Sequence, residues 1–341
     1  MNTHFQTKRR QILGLFCTSA ALSQLPLAAM ASSRAAGAGI ASDIEALEWR
    51  GIALGADAQL KIYHEDQQEA QRLLKAVLQE VERQERLFSL YRDDSVLNRL
   101  NSDGEVRDFA HDFYWLMSLA DEHVKLTQGA FDPTVQILWE TYRDFLMAQP
   151  QATPEMILNE VQGVRHLLGW EGIQLAPDYI RLAKPGQVIT LNGIAQGFIT
   201  DRVTDLLQQQ GVDHALINMG EIRGLLPAGK EAWKLGISDP EDGEKLLRQL
   251  SIGNQAMATS SAKGSFLSYE HNIGHIFNPS TMQSDDRYLS VTVVANTATQ
   301  ADALATAFSV MPLAVIKETL KQVSGVEAYV FSEDRQWYEL S

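Results

Sequence analysis

The apolar residues of this chain change period repeatedly without settling into one rhythm, and this constrains the fold more than any other feature. Helical spacing governs 69–91, where Ala70, Leu73, Leu74, Val77, Leu78 and Val81 fall on one face, and 110–126, where Phe113, Leu116, Leu119, Ala120 and Val124 do the same. Helix is also expected over 136–147, 154–167, 194–209, 299–310 and 312–323, with Gly129 and Gly211 as stops. Strand-like segments lie at 49–63 (Gly51 and Gly55 reading as breaks), 172–191, 214–219, 233–238, 247–252, 287–296, 326–332 and 335–339. A doubly wound parallel sheet would need strict strand–helix alternation, which is missing. The pattern predicts an α+β fold of mostly antiparallel sheet with flanking helices. The Pro/Gln tract at 147–153 is the candidate boundary between two lobes.

The N-terminus reads as an export signal. Thr7-Lys8-Arg9-Arg10-Gln11-Ile12-Leu13 is a basic region, a weakly apolar stretch follows, and Ala29-Met30-Ala31 supplies a small-x-small end. Adjacent arginines followed by Gln, Ile and Leu fit the twin-arginine type, and polar breaks at Thr18, Ser19, Ser23 and Gln24 suit that route. The bland alternative is a disordered arm. The expected division is a signal over 1–31, an Ala/Ser/Gly-rich flexible leader over 32–46 and one domain over 47–341, in a periplasmic protein. The single cysteine, Cys17, follows Gly14-Leu15-Phe16, a poor lipidation site, and falls within the signal. One cysteine excludes a disulfide framework or a zinc ribbon.

The 341 residues carry 29 Lys+Arg against 43 Asp+Glu, a formal charge of −14. Losing 1–31 would remove Lys8, Arg9 and Arg10 and no acid, leaving −17. Such a chain is a poor nucleic-acid binder, since phosphate contact requires basic surface. Its apolar runs fall short of the ~20 residues that span a bilayer. There is no G-x-x-x-x-G-K-[ST], no G-x-G-x-x-G after a strand and no G-x-S-x-G. His271 and His275 are four apart, but Gly274 and Pro279 argue for a strand or loop rather than a metal-binding helix.

Three segments stand out. Gly129-Ala130-Phe131-Asp132-Pro133-Thr134-Val135 places an acid before proline: a polar corner for a ligand, or a turn in which Asp132 caps the next helix. Ile189-Thr190-Leu191-Asn192-Gly193-Ile194-Ala195-Gln196-Gly197-Phe198 runs strand into helix and leaves backbone groups free for phosphate, or is simply a tight turn. In the segment from Thr297 to Phe308, Asp302 and Thr306 stand four apart on one helical face among alanines. Such hard oxygens suit Mg2+; the alternative is a helix-dipole acid with a threonine bonded back to a carbonyl.

The order of these pieces resembles the ApbE family of FAD:protein FMN transferases, from about Gly51 to Tyr338. The matching residues include Phe88-Ser89-Leu90-Tyr91-Arg92, the segment from Gly129 to Val135, and Gly193-Ile194-Ala195-Gln196-Gly197 with Asp201-Arg202. They continue with Trp233-Lys234-Leu235-Gly236-Ile237, Ala258-Thr259-Ser260, His275-Ile276-Phe277-Asn278-Pro279 with Thr281, and Ala301-Asp302-Ala303-Leu304-Ala305-Thr306. The resemblance implies two lobes around a flavin cleft and a Mg2+-dependent transfer of FMN from FAD to a Thr or Ser hydroxyl of an exported or membrane-bound acceptor protein, with release of AMP. It further implies Asp302, Thr306 and the carbonyl of Gly193 as metal ligands, and His275 with Asp302 as catalytic residues. FAD contacts would come from Ser89, Leu90, Tyr91, Ala130, Phe131 and Asp132, and from a wall at Thr259 and Ser260. Leu54, Thr190, Gln196 and Ile276 occupy further positions of the flavin site.

The chain departs from the family pattern in places. Leu54-Gly55-Ala56 stands for Met-Gly-Thr, Thr190 for an acid, Gln196 for Lys, Asn278 for Asp, and Ser261 and Met282 for Gly. Loss of the acid at 190 bears on adenosine recognition, and Asn278 on the orientation of His275. The alternatives to a transferase are an FAD pyrophosphatase yielding FMN and AMP, and a non-catalytic FAD-binding or maturation protein.

Overall fold

The structure, a computed structural model, describes residues 45–262 and 264–341; the proposed signal and nearly all of the leader lie outside the described residues. The chain enters through a hairpin of β1 (Ala46–Ala53) and β2 (Ala56–Tyr63). Its two turn residues both take positive φ, Leu54 at 46° and Gly55 at 81°, the combination that matches the twist of the flanking strands. The stretch 49–63 is therefore two strands. Of the two glycines read as breaks, Gly55 makes the turn, whereas Gly51 stays in β1, where a Cβ would strike the Trp49 ring.

Helix α1 (Gln67–Phe88) starts where Asp66 accepts from Gln68 N and Glu69 N, and buries Ala70, Leu73, Val77 and Val81. It ends at Phe88 rather than Tyr91, because Ser89 turns extended. A helix not expected from the sequence follows, α2 (Val96–Asp103), capped by Ser95 and stopped by left-handed Gly104. Next come β3 (Glu105–Arg107), α3 (His111–Leu126), α4 (Gln136–Ala148) and α5 (Pro154–Gly163). Helix α5 is shorter than expected, giving way to a 3-10 turn at Arg165–Leu167. Between 172 and 191 only β4 (Gln174–Ala176) and β5 (Tyr179–Arg181) form, joining β3 in a small sheet. The 149–153 tract turns between α4 and α5, whose apolar faces share one cluster built on Leu138, Tyr142, Ile157 and Val161.

Then follow α6 (Ala195–Gln209), β6 (Ala215–Asn218), β7 (Ile222–Leu225), the ribbon β8 (Trp233–Asp239) and β9 (Asp242–Ile252), and β10 (Ala256–Ser260). Two short pairs, β11 (Phe266–Ser268) with β12 (Ile273–Gly274) and β13 (Phe277–Asn278) with β14 (Gln283–Ser284), precede β15 (Tyr288–Ala295). The chain closes with α7 (Ala298–Ser309), α8 (Leu313–Leu320), β16 (Glu327–Ser332) and β17 (Trp337–Leu340).

One eight-stranded sheet, in the order β1-β2-β6-β7-β10-β15-β16-β17, organises the molecule, and every pairing in it is antiparallel. The α+β expectation holds. All of β15 is buried because both its faces are covered. Val291 and Val293 face the helical core, while Val294 joins Met257 under Leu235 and Ile252 of the ribbon. Its near-continuous apolar sequence follows from that double burial. The cleft is set by α6 and α7, which meet so closely at their first turns that a Cβ on Gly197 would lie 2.2 Å from the Ala298 carbonyl oxygen. Among the described residues no helix is long and apolar enough to cross a membrane.

Candidate functional site

Helix α7 begins where Thr297 caps it by accepting from Gln300 N, and its alanines let it bury almost entirely against the sheet. Asp302, one turn in, is only 4% exposed. Its Oδ2 accepts from Gly197 N at 3.0 Å, so a first-turn amide of α6 points at the carboxylate. Burial, with Asp201 adding to it, raises the Asp302 carboxyl well above its ordinary range, although the Gly197 bond opposes this. A carboxylate held in that way is matched to a bound cation.

Thr306 lies one turn further on, beside Gly193. A Cβ on Gly193 would fall 2.9 Å from Thr306 Oγ1, so the absence of a side chain lets the 193 backbone reach the hydroxyl. Thr200, Thr204 and Ser309 bond back to the carbonyls four residues earlier. Thr306 does not, which removes the back-bonded alternative for it. A carboxylate, a hydroxyl and free backbone thus meet at the start of α6, a hard-oxygen set that fits Mg2+. Among the described residues no group of three or more His, Cys, Asp or Glu could hold a metal.

The loop that delivers Gly193 is tied down from both sides. Thr190 N donates to Pro133 O at 2.9 Å, and Asn192 N donates to Thr190 Oγ1 at 3.1 Å. Asp132 caps the 3-10 turn after it, accepting from Thr134 N and Oγ1 at 2.9 and 2.7 Å. Burial raises its carboxyl, with the Thr134 bonds opposing. Tyr91 is 59% exposed, and its ring passes 3.7 Å from a Cβ on Gly55. Asn98 fixes the turn carrying Ser89, Leu90 and Tyr91 by donating to Leu90 O and Arg92 O at 3.0 and 2.7 Å. Leu54 N donates to Glu85 Oε1 at 2.9 Å, which anchors the hairpin tip beside Tyr91. These residues form one wall; Ala130 is half-buried and Phe131 is buried behind it.

A second group of the expected site residues lies on β10 and on the segment after it. Thr259 is exposed and shares a hydrogen bond of 2.9 Å with Thr292, next to half-buried Ser260. His275 is exposed, but protein crowds its recess, and desolvation lowers its pKa against the opposing Ser265 bond. Its Nδ1 lies 2.9 Å from Ser265 O. A carbonyl only accepts, so Nδ1 carries the proton and Nε2 presents a lone pair. Ile276, beside it, is buried and accepts from Asp285 N. Asn278 does not touch His275. It accepts from Ser280 N at 3.0 Å and donates to Asp285 at 3.0 Å, so the histidine is oriented by backbone instead. No hydrogen bond among the described residues joins His275 to Asp302 or Thr306.

One acid in the site escaped the sequence reading. Glu221, in the turn between β6 and β7, is raised well above its ordinary range by burial together with the nearby Asp302 carboxylate. Its carbonyl accepts from Thr200 Oγ1 at 3.0 Å, and the preceding Gly220 lies under Gln196, whose Cδ would be 2.7 Å from a Cβ there. The glycine-bearing turn at 218–221 was the available signal. One recess of about 320 Å³ is lined by Gln208, Val212, Leu225 and Asn254, and another of about 90 Å³, lined by Ala262, Phe266, Gly274 and Asp285, adjoins the His275 segment.

A family model described as "ApbE family" matches residues 54–330, most of the chain. The chain belongs to the ApbE family. It is 28% identical over 306 residues to the FAD:protein FMN transferase of Treponema pallidum (strain Nichols), covering 83% of this chain and 84% of that one. It is likewise 28% identical over 290 residues to the FAD:protein FMN transferase of Vibrio cholerae O395, covering 80% and 84%. Among solved structures, the ApbE protein of Thermotoga maritima superposes with a TM-score of 0.75 at 25% identity, over 87% of this chain and 97% of that one. The flavin transferase ApbE of Vibrio cholerae, at 24% identity and a TM-score of 0.72, shares the fold over 87% and 97%. Within this family's fold, the backbone at Met282 is unusual. The residue takes a left-handed φ of 60°, uncommon for a residue with a side chain, and is held there fully buried with its carbonyl accepting from the Tyr142 hydroxyl.

Proposed function

We propose that this chain is an exported FAD:protein FMN transferase, moving FMN from FAD to a Thr or Ser hydroxyl of an exported or membrane-bound acceptor protein. The observation that carries the reading is the meeting of Gly193, Asp302 and Thr306 across the α6–α7 contact. The names of the relatives supply the reaction class.

In this reading the acceptor oxygen bonds to the FMN phosphorus, the bond from that phosphorus to the bridging oxygen breaks, and AMP leaves with that oxygen. The hydroxyl proton passes to Nε2 of His275, whose lone pair the Ser265 carbonyl keeps available. Mg2+, when held by Asp302, Thr306 and the Gly193 carbonyl, would polarise the pyrophosphate. Tyr91, the Ser89–Leu90 turn and the Asp132 corner flank one side of the flavin, with Leu54 and Thr190 behind; Thr259, Ser260, Gln196 and Ile276 flank the other. An acidic chain binds a dianion only where such local features reverse its mean field.

The test is incubation of the chain lacking residues 1–31 with FAD, Mg2+ and candidate exported acceptors. An acceptor gaining the mass of FMN with equimolar AMP supports the reading. Free FMN and AMP without acceptor would make the protein a pyrophosphatase, and FAD bound but intact under all conditions would make it a flavin-binding protein. Export by the twin-arginine route is part of the proposal; replacing Arg9 and Arg10 by Lys should leave the protein inside the cell.

A further inference from the structure

Asp201 lies in α6, four residues after Gly197, and is 8% exposed. Its carboxylate accepts three hydrogen bonds from the first turn of α7: Ala298 N at 2.9 Å, Thr299 N at 2.9 Å and Thr299 Oγ1 at 2.5 Å. A fourth comes from the Arg223 guanidinium of β7, in a pair whose side chains are both largely buried. One side chain therefore joins three elements, and each carries part of the site. Helix α6 brings the Gly193 loop and the Gly197 amide, α7 brings Asp302 and Thr306, and β7 follows the turn bearing Glu221.

The geometry of these bonds constrains α7 in two ways. Two backbone amides fix its position along its own axis, and the Thr299 hydroxyl, bonded to the same oxygen as Thr299 N, fixes its rotation. Asp302 is three residues from Thr299 and Thr306 seven, so both lie on the face that this rotation sets. Asp201 thus holds the α7 oxygens at the distance from Gly193 that the missing Cβ allows. Arg223 balances the buried charge through one arm, leaving its own Nε without a partner.

We propose that Asp201, balanced by Arg223, is the positioning residue that sets the cation-binding geometry of Asp302 and Thr306. This rests on the reading of those two residues as cation donors, and the test separates the two claims. Mn2+ binding to the whole chain in the presence of FAD would be followed by its electron paramagnetic resonance signal, alongside thermal unfolding. If the unaltered chain binds no Mn2+, or Asp302→Asn binds it as tightly as the unaltered chain, the donor assignment itself fails. If the donors are correct, Asp201→Asn should weaken Mn2+ binding about 10–100-fold, as outer-shell partners typically do. Arg223→Gln keeps the Asp201 acceptors and should weaken binding less. Arg223→Lys should restore most of what Arg223→Gln loses. Asp201→Asn with a lowered unfolding temperature but unchanged Mn2+ affinity would overturn the proposal, since it would make the clamp structural only. If Asp201→Asn fails to fold, the two Arg223 variants decide: equal Mn2+ affinity in both and in the unaltered chain would likewise overturn it.

Discussion

Gly193 is conspicuous because its side chain is missing where another residue's hydroxyl needs the room. Gly193→Ala would place a methyl 2.9 Å from Thr306 Oγ1, and Thr306 would have to turn away. Helix and sheet contacts are untouched, so thermal stability should change little. A misplacement of this size should lower FMN transfer by about a hundredfold, read as AMP released per unit time. His275 gives a second prediction at this scale. Its neutral form is the one with a free Nε2, and desolvation lowers its pKa from the ordinary 6.5. The base form therefore persists to lower pH, and the acid limb of the kcat/KM profile should fall below 6.5. His275→Gln should remove that limb; an unchanged limb would assign it to another group. The sequence exposed both residues, Gly193 through its Asn-Gly junction and His275 through its motif. Glu221 stayed hidden, because an acid in a short turn looks like any solvated turn until the fold sets it near Asp302.

Between elements, the α6–α7 contact tolerates no added atom. A Cβ on Gly197 would come within 2.2 Å of Ala298 O and 2.8 Å of Thr299 N, backbone atoms that cannot move aside singly. Gly197→Ala should cost about 1–3 kcal/mol or more by denaturant melting, and should reduce activity with stability because the helices separate at the site. The α1–α3 contact offers a pH test. Burial would raise Asp112, but hydrogen bonds from Arg83 and Gln84 outweigh it and hold the carboxyl below its usual range. Gln84 itself is fully buried and donates to Asp112 at 2.7 Å. A lowered folded pKa means stability that is present above the unfolded value near 4 and is lost as pH falls through the folded value. Asp112→Ala should cost about 1.5–3 kcal/mol at pH 7. The difference from the unaltered chain should shrink below pH 4, as measured by urea melts at each pH. Long elements such as α1 and α3 were legible because their apolar spacing repeats over many turns. Helix α2 and the paired strands from β11 to β14 were not, since two to eight residues carry too little periodicity.

Across the whole molecule, the antiparallel sheet was readable only as a class. Its order, which puts β10 between β7 and β15, depends on pairings no local pattern encodes. Local pattern also gave no hint of the ribbon β8–β9 as a cover for the second face of β15. The bonds that build the site span most of the chain: Gly197 meets Asp302 across 105 residues, and Asp201 meets Thr299 across 98. Contacts of such separation form only after large loops have closed, and they are among the last a folding chain makes. The face of α7 that bears Asp302 and Thr306 is therefore absent from any chain that ends before residue 298. In a refolding experiment, protection of FAD should arise with the slowest phase and not before it. A nascent chain released just short of α7 would carry six of the sheet's eight strands and no trace of the activity.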